Sequence, residues 1–470
     1  MRMGERKVRP FGLRDKVGYL MGDLGNDFTF LFASGYIMVF YSKVMGISTG
    51  LIGTMFVIAR CIDAFTDIGM GRIVDTMGNR GRERFRPWLL RMCGPVALAS
   101  FLMYQVGIRD WSYQARVTYM FVTYILWGSV FYTSINIPYG SMASVISGDF
   151  RHRSSLSVFR SVGSMAAGIA IGVIAPLVVY YTDQEGNQVV SGKNFTLLAG
   201  ILAAASIVSY LLCYFLCSER VVLCKTKSAE KEQPFVRRAG NFLQSRALWG
   251  VILSALLMLL ATLMSQSVNN YLYADYFKNT KALSLSGLLQ LPAMFFLASF
   301  ATKLAIRYGK RECGFVGMLV SGILYMLIGF LHLRNVWVFI LLIFLAMLGM
   351  MFFNMQCYAM VTDVIDDLEV ISGNRDDGTI YGIYSFFRKI GQALAGGVGG
   401  WALAWIGYDE LAPSQTPLVA ESIYNLATFF PGVVYLATAA VLLFLYPLGK
   451  KRVEDNVVKL QSIHEQGNEK

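Results

Sequence analysis

Charged residues are scarce in this chain of 470 residues, where aspartate, glutamate, lysine and arginine together make up 15% of the sequence. A soluble globular chain carries about 25%. Histidine is scarcer still, and the three histidines, His152, His332 and His464, lie far apart in the sequence and suggest no metal-ligand cluster. No enzyme signature is present, and the phosphate-binding loop of ATP-driven proteins is missing. Neither an enzyme nor a nucleotide-driven machine is therefore indicated.

The seven cysteines are few and scattered, mainly within apolar stretches. Cys213 and Cys217 lie four residues apart on one predicted helix, with no histidine beside them. This pattern indicates buried free thiols rather than a disulfide or metal framework. A cleavable signal peptide is not expected, because the first apolar stretch, about residues 17–41, is too long and has no cleavage-site pattern.

Apolar stretches are what this sequence has in abundance. Hydrophobic residues make up 55% of the chain, and the mean hydropathy is +0.50. Apolar runs of about 20 residues recur along the whole length, which is the signature of transmembrane helices. We therefore predict an all-α membrane protein with twelve transmembrane helices in two six-helix halves. The predicted helices span residues 17–42, 49–74, 87–107, 114–146, 155–181, 195–217, 247–277, 283–307, 312–332, 336–366, 379–407 and 422–447.

Lysine and arginine cluster in the two tails and in every second loop between the predicted helices. This alternation explains the net charge of +12. By the positive-inside rule it predicts that both termini are cytoplasmic, in a multi-pass protein of the plasma (inner) membrane. The predicted organisation is an N-terminal half at 1–217, a basic cytoplasmic loop at 218–246, a C-terminal half at 247–450 and a cytoplasmic tail at 451–470.

Two short segments indicate that the halves are related. Phe159-Arg160-Ser161-Val162-Gly163 on the fifth predicted helix is similar to Phe387-Arg388-Lys389-Ile390-Gly391 on the eleventh, and small residues follow each segment. A repeat between corresponding helices of the same orientation predicts parallel halves, related by an axis along the membrane normal. The loop Gly71–Arg80 also resembles, in part, the major facilitator motif G-x-x-x-D-R-x-G-R-R.

The second predicted helix carries three charged residues, Arg60, Asp63 and Asp67. Insertion scales put each such side chain at about 2.5–3.5 kcal/mol at the centre of a membrane helix. Asp63 and Asp67 lie one turn apart on one face, where like charges repel. A cation, a proton or a basic side chain is expected to meet this face, which predicts a cation site and membrane transport. The alternative is a structural ion pair with Arg60 or Lys389.

Six motifs carry a family resemblance. They are Gly25-Asn26-Asp27-Phe28, the segment Ala59–Asp67, Arg84-Phe85-Arg86-Pro87-Trp88, Thr123-Tyr124-Ile125-Leu126-Trp127-Gly128, Asn136-Ile137-Pro138-Tyr139 and Asp363-Val364-Ile365-Asp366. Together they resemble the glycoside–pentoside–hexuronide:cation symporter family of the major facilitator superfamily. The resemblance implies secondary symport of a sugar, glycoside or hexuronide with H⁺ or Na⁺ by alternating access, without a cofactor.

The resemblance also implies roles for individual residues. The predicted cation-binding residues are Asp63, Asp67, Thr133 and Asn136. The predicted substrate-binding residues are Asp27, Asn26, Tyr132, Asn136, Arg160 and Lys389, and Lys389 is expected to face the cation site as well. Two alternatives stay open: Asp27 pairs with Arg160, and Asn136 makes a polar contact between helices.

The chain departs from the resemblance at Asn136 and Gly140, where a sugar carrier of that family has an aspartate and a tryptophan. The substrate is therefore left open. Na⁺ needs several oxygens around it, whereas a proton needs one carboxylate. Loss of the acid thus favours H⁺ over Na⁺ as the coupling ion.

A second group of charges lies at the end of the tenth predicted helix and in two loops. It is predicted to form a network that closes the cytoplasmic side, with a solvated run of charges as the alternative. Its members are Asp363, Asp366, Asp367, Glu369, Arg375, Arg151 and Arg153.

Two further functions stay open from the sequence: a carrier of lysolipids or other amphiphiles, and a non-transporting membrane receptor. The expected partners are a small-molecule substrate, a monovalent cation and the lipid bilayer. We expect a monomer and no nucleic acid.

Overall fold

The computed structural model describes residues 9–76, 83–147, 149–221, 245–372, 377–412 and 414–468. The described chain is almost entirely helical, which confirms the predicted all-α class. The helices of the first part are α1 (Leu13–Val39), α2 (Thr49–Thr76), α3 (Arg86–Leu102), α4 (Tyr113–Ile125), α5 (Thr133–Ile146), α6 (Phe150–Val179) and α7 (Gly192–Leu216). Those that follow are α8 (Arg246–Tyr271), α9 (Thr280–Leu288), α10 (Gln290–Tyr308), α11 (Lys310–Leu331), α12 (Val336–Ser372), α13 (Asp377–Trp405), α14 (Pro417–Phe444) and α15 (Lys450–Asn468).

Three short π-helical segments extend or join these helices. Phe40–Val44 continues α1, Leu272–Tyr276 continues α8, and Leu126–Tyr132 joins α4 to α5. With these joins, and with α9 and α10 taken as one interrupted helix, each of the twelve predicted helices corresponds to a helical segment. Among the described residues, seven helices are long and apolar enough by composition to cross a membrane.

Two features differ from the prediction. A β-hairpin of Tyr180–Thr182 and Gln188–Val190 follows α6, because the Asp183 carboxylate accepts hydrogen bonds from the backbone N–H groups of Glu185 and Asn187 and so closes the turn. The predicted tail is the helix α15, which packs against α12. Its polar sequence carries no apolar run that could have predicted it.

The chain divides into two compact units. The first comprises Met1–Lys227 with Tyr408–Ser414, and the second comprises Ser228–Gly407 with Gln415–Lys470. In the first unit, α1 packs on α6 and α7, and its core includes Tyr139 and Tyr210, which are fully buried. In the second unit, α11 packs on α12 and α14 around a core that includes Met318 and Phe353. Each unit therefore has its own apolar core.

The π segment between α4 and α5 matters most for the site. The backbone N–H of Thr133 bonds to the carbonyl of Gly128, five residues back, instead of four as in an α-helix. The Thr133 hydroxyl reaches the same carbonyl at 3.2 Å. This wider turn lies opposite the charged face of α2, and π turns of this kind are frequent at functional sites.

Candidate functional site

The charged face of α2 lies in the first unit. Asp63 and Asp67 are one turn apart, and the Arg60 guanidinium donates a hydrogen bond to Asp63 Oδ2 at 3.1 Å. The side chains of this pair are 26% and 19% exposed, so the pair is only partly shielded. The ion pair that the sequence offered as an alternative for Asp63 therefore exists, and it occupies one of the two carboxylate oxygens.

Two hydroxyl groups meet the same face from the continuous helical segment Tyr113–Ile146, formed by α4, the π segment and α5 and called here the α4–α5 rod. The Ser129 hydroxyl donates to Asp63 Oδ1, and the Thr133 hydroxyl donates to Asp67 Oδ1 at 3.1 Å. Ser129 is 1% exposed and Thr133 is 5% exposed. Gly128 lies close as well, because a Cβ atom placed there would be 3.9 Å from Asp63 Oδ1. Each aspartate thus has one buried hydroxyl as its partner.

Aromatic rings flank Arg60. The guanidinium lies 5.6 Å from the centroid of the Phe30 ring, a cation–π contact. Phe30 stacks on Tyr132 at 5.6 Å, and Tyr132 in turn lies 5.5 Å from Trp127. Tyr132, predicted to bind substrate, is therefore part of an aromatic row that begins beside the charged face of α2.

A second polar cluster joins α1 to α6. Arg160 Nε donates to Asp23 Oδ1 at 2.8 Å, and the guanidinium lies 5.4 Å from the ring of Tyr139. Tyr139 stacks on Tyr19 at 4.7 Å and donates its hydroxyl proton to the carbonyl of Tyr19. Asp23 is 5% exposed, so this ion pair is largely buried on the carboxylate side.

The chain matches the family "MFS/sugar transport protein" over residues 18–450. The chain belongs to this family. The match confirms the predicted relationship to major facilitator symporters, and this transporter is a multi-pass membrane protein rather than an enzyme.

Individual relatives agree with the family. The chain is 28% identical to a glucuronide carrier protein homolog of Escherichia coli (strain K12), over 96% of this chain and 95% of the relative. It is 28% identical to the uncharacterized symporter YjmB of Bacillus subtilis (strain 168), over 93% and 92% of the two chains. The inner membrane symporter YicJ of E. coli is 27% identical, over 94% and 93%.

Solved structures support the fold. The xylose transporter XylE from E. coli superposes with a TM-score of 0.59 at 12% identity, covering 95% of this chain and 98% of that one. A bacterial homologue of the iron transporter ferroportin gives a TM-score of 0.65 at 13% identity, covering 93% and 100%. At these identities the likeness shows the major facilitator fold and nothing about the substrate.

The ion pair of Arg160 is with Asp23, one turn before the predicted Asp27. Asp27 itself is half-buried, and Ser164 lies within hydrogen-bonding reach of it. Spacing offered a signal for Asp23, because residues four apart share one helix face. Asp27 alone is predicted from the sequence, whereas the structure places the ion pair of Arg160 on Asp23.

The Asn26 side chain contacts α7, unlike that of Asp23 on the same helix, which pairs with α6. It is 1% exposed, and its side-chain oxygen accepts a hydrogen bond from the hydroxyl of Tyr210 on α7 at 2.7 Å. This placement gives Asn26 a role in packing α1 on α7 and argues against contact with substrate. Asn136 is half-buried on α5, three residues beyond Thr133. Lys389 lies on α13, and its side chain is outside the described set.

The predicted charge network has partners that the sequence did not suggest. Asp363 accepts a hydrogen bond from Lys310 Nζ at 2.6 Å. Asp367 accepts two from Arg452, at 3.0 and 2.9 Å, and one from Asn456 at 2.8 Å. All of these residues belong to the second unit.

The other predicted members of the charge network differ in their exposure. Glu369 is 7% exposed, Asp366 is half-buried and Arg153 is exposed. Arg375 and the side chain of Arg151 lie outside the described residues. The contacts of Asp363 and Asp367 arise because Lys310 begins α11 and the tail forms a helix.

The α2 site has the oxygen chemistry of a hard cation. Its side chains offer two carboxylates and two hydroxyls, whereas transition metals prefer nitrogen and sulfur ligands. In the part of the chain that the structure describes, no group of three or more His, Cys, Asp or Glu residues could hold a metal ion. The arrangement suits a monovalent cation or a proton.

Proposed function

We propose that this transporter is a symporter that carries a sugar, glycoside or hexuronide together with a monovalent cation. The observation that carries the proposal is the charged face of α2, where Asp63 and Asp67 each meet one buried hydroxyl of the α4–α5 rod. The relatives named as symporters and as a glucuronide carrier homolog support the same class of function.

The electrostatics of α2 favour a cation there. This face of α2 carries two carboxylates and one guanidinium, and Arg60 pairs with Asp63. Charges inside a membrane helix are costly, and ion pathways are the usual reason for keeping them. A bound cation would take its oxygen donors from Asp63, Asp67 and the nearby hydroxyls.

The α1–α6 cluster has the groups that a sugar requires. Asp27, which is half-buried, can accept hydrogen bonds from sugar hydroxyls, and the partly exposed Arg160 can donate them. We place the substrate beside Asp27 and Arg160, with Tyr132 along the aromatic row. Lys389, on α13, stays a predicted substrate-binding residue.

Transport then follows from alternating access of two halves, N-terminal 1–217 and C-terminal 247–450, with both termini in the cytoplasm. Cation binding removes the repulsion between the aspartates and thereby raises the affinity for the substrate. Substrate binding must raise the affinity for the cation by the same factor, because the coupling free energy between two sites is the same in both directions.

The test measures transport by the purified full chain in proteoliposomes. A panel of sugars and glycosides, with a lysolipid included, is first screened for thermal stabilisation of the protein with and without Na⁺. The best ligand is then followed in uptake driven by a Na⁺ or a proton gradient. We expect uphill sugar uptake by the wild type and none by Asp63→Asn.

The control variant is Glu185→Gln, an acid-to-amide change in the exposed turn of the β-hairpin. It should transport like the wild type. Gradient-independent sugar uptake, full uphill uptake by Asp63→Asn, or stabilisation by the lysolipid alone would each contradict the proposal.

A further inference from the structure

Ser129 carries a buried hydroxyl for which the sequence predicts no role. It lies in the middle of the π segment, its hydroxyl donates to Asp63 Oδ1, and it is 3.5 Å from the carbonyl of Ala59. Serine hydroxyls within helices commonly bond to their own helix, four residues back. Ser129 instead reaches across to another helix, and specifically to a carboxylate.

Both oxygens of Asp63 have a partner. Arg60 holds Oδ2 at 3.1 Å, and Ser129 holds Oδ1. The carboxylate is thereby fixed in rotation, with Oδ1 directed toward the α4–α5 rod. One turn along, Thr133 holds Asp67 Oδ1 in the same way. The result is a set of four side-chain oxygens, two from α2 and two from the rod.

We propose that Ser129 is an oxygen ligand of the coupling cation, and that it makes the site prefer Na⁺ to H⁺. The inference rests on the proposed function, because it concerns the same cation. A hydroxyl is both a donor and an acceptor, so it can turn its proton away from Asp63 and offer a lone pair to an arriving Na⁺.

Ser129 reverses the preference for H⁺ that the sequence predicts. The loss of an acid at Asn136 favours H⁺, because Na⁺ needs several oxygens and one acidic ligand is missing. The Ser129 hydroxyl supplies a further oxygen beside Asp63. A proton is held by a covalent bond to one carboxylate and does not need a shell of four oxygens, so the added ligand benefits Na⁺.

The chain offers a matched control five residues along the same rod. The Ser134 hydroxyl donates to the carbonyl of Val130 at 2.6 Å, within its own helix. Ser134→Ala therefore removes the same atom from the same rod without touching this Asp63 contact. Ser129→Thr keeps the hydroxyl, whereas Ser129→Ala removes it and Ser129→Cys replaces it with a sulfur that is a poor ligand for Na⁺.

The experiment measures thermal stabilisation of the purified full chain by NaCl, with choline chloride as the reference salt. It needs no knowledge of the sugar. We expect the Na⁺ dissociation constant to rise by about 10- to 100-fold in Ser129→Ala, the range seen when groups that support metal ligands are removed. Ser129→Cys should show the same loss, while Ser129→Thr and Ser134→Ala should match the wild type.

Three outcomes would overturn the inference. The first is wild-type Na⁺ affinity in a folded Ser129→Ala or Ser129→Cys protein. The second is an equal loss in Ser134→Ala, which would indicate a general effect on the rod. The third is a wild type that Na⁺ does not stabilise while a proton gradient drives sugar uptake; this result would leave the proposed symport standing and remove only the assignment of Ser129 and Na⁺.

Discussion

The two units of the molecule tie their helices together in the same way. In the first unit, Arg86 at the start of α3 donates from Nε and Nη2 to the carbonyl of Tyr214, at the end of α7. In the second unit, Arg311 at the start of α11 donates from the same two nitrogens to the carbonyls of Leu442 and Leu443, near the end of α14. These are the third and sixth membrane helices of each half in the predicted order.

A glutamate accompanies each arginine, but on opposite partners. Glu219 follows α7 and accepts the backbone N–H groups of residues 84–86, which begin α3. Glu312 lies on α11 and accepts the backbone N–H of Lys450, which begins α15. A carboxylate at a helix N-terminus is stabilised by the unpaired N–H groups and the helix dipole. We call these two arginine–glutamate pairs, Arg86 with Glu219 and Arg311 with Glu312, the two glutamate clamps. Both use the same chemistry, but the glutamate follows the sixth membrane helix in the first unit and lies on the third in the second unit.

The acids that form ion pairs differ between the units in position. In the first unit, Asp23 and Asp63 lie well inside α1 and α2; Asp23 pairs with Arg160 on α6, and Asp63 pairs with Arg60 on its own helix. In the second, Asp363 and Asp367 lie near the end of α12 and pair with Lys310 and Arg452. The scaffold is similar in the two units, while the acids proposed to bind the cation and the sugar lie in the first. Four predictions sharpen this comparison, from the largest expected effect to the smallest.

Loss of Asp67 should have the largest effect. Asp67→Asn removes one of the two carboxylates that face the cation, so uphill accumulation of the sugar should be abolished. Sugar binding should survive, because the sugar groups lie mainly on α1 and α6. The matched change in the second unit, Asp363→Asn, should leave the cation dependence of uptake intact. Uphill accumulation by Asp67→Asn in gradient-driven vesicle uptake would contradict the assignment of the cation site to the first unit.

Loss of Asp27 should have the next largest effect. Asp27→Ala removes a charge-assisted hydrogen bond to the sugar, which contributes about 1.5–3 kcal/mol. The sugar dissociation constant should rise by about 10- to 100-fold, measured by calorimetry on the protein in detergent. Asn26→Ala, one residue earlier, should change the sugar affinity little, since the Asn26 side chain contacts Tyr210. Equal losses in the two variants would refute the assignment of Asp27.

Much of this arrangement follows from the sequence. The twelve helices are visible because each must present about 20 apolar residues, and Asp63 and Asp67 are conspicuous because charges in such stretches are costly. Their hydroxyl partners, Ser129 and Thr133, are not conspicuous in the sequence, because serine and threonine are ordinary residues of membrane helices. Nothing in the sequence Trp127-Gly128-Ser129 marks the π turn that brings Ser129 to Asp63.

Pairings between distant helices are also beyond a single sequence. Arg160 has two acids within reach on one face of α1, and their spacing does not decide between Asp23 and Asp27. The partner of Asp367 lies on a polar tail, 85 residues later in the chain. Such contacts depend on how helices pack, which the apolar pattern of each helix does not specify.

The tail helix provides a stability test in the second unit. Arg452→Gln removes the two hydrogen bonds to Asp367, whose side chain is 4% exposed, and leaves that carboxylate with Asn456. Leaving a buried acceptor undersatisfied costs about 1–3 kcal/mol. We therefore expect the free energy of unfolding to fall by about this amount, and the midpoint of thermal unfolding to fall with it. Lys451→Gln, an exposed neighbour on the same helix, is the control. Equal midpoints for the two variants would show that the tail is not held by Asp367.

The two glutamate clamps should give the smallest and most informative difference. Glu219→Gln and Glu312→Gln both remove a charge and keep an acceptor oxygen, so each should lose part of a capping interaction, about 0.5–2 kcal/mol at most. Glu219 accepts three backbone N–H groups through both oxygens, whereas the contact of Glu312 with Lys450 uses one. We therefore expect the larger fall in thermal stability for Glu219→Gln. Because salt screens charge–dipole interactions at partly exposed sites, the difference should shrink at high ionic strength. A larger fall for Glu312→Gln would mean that the tail, rather than the clamp on α3, limits the stability of the chain.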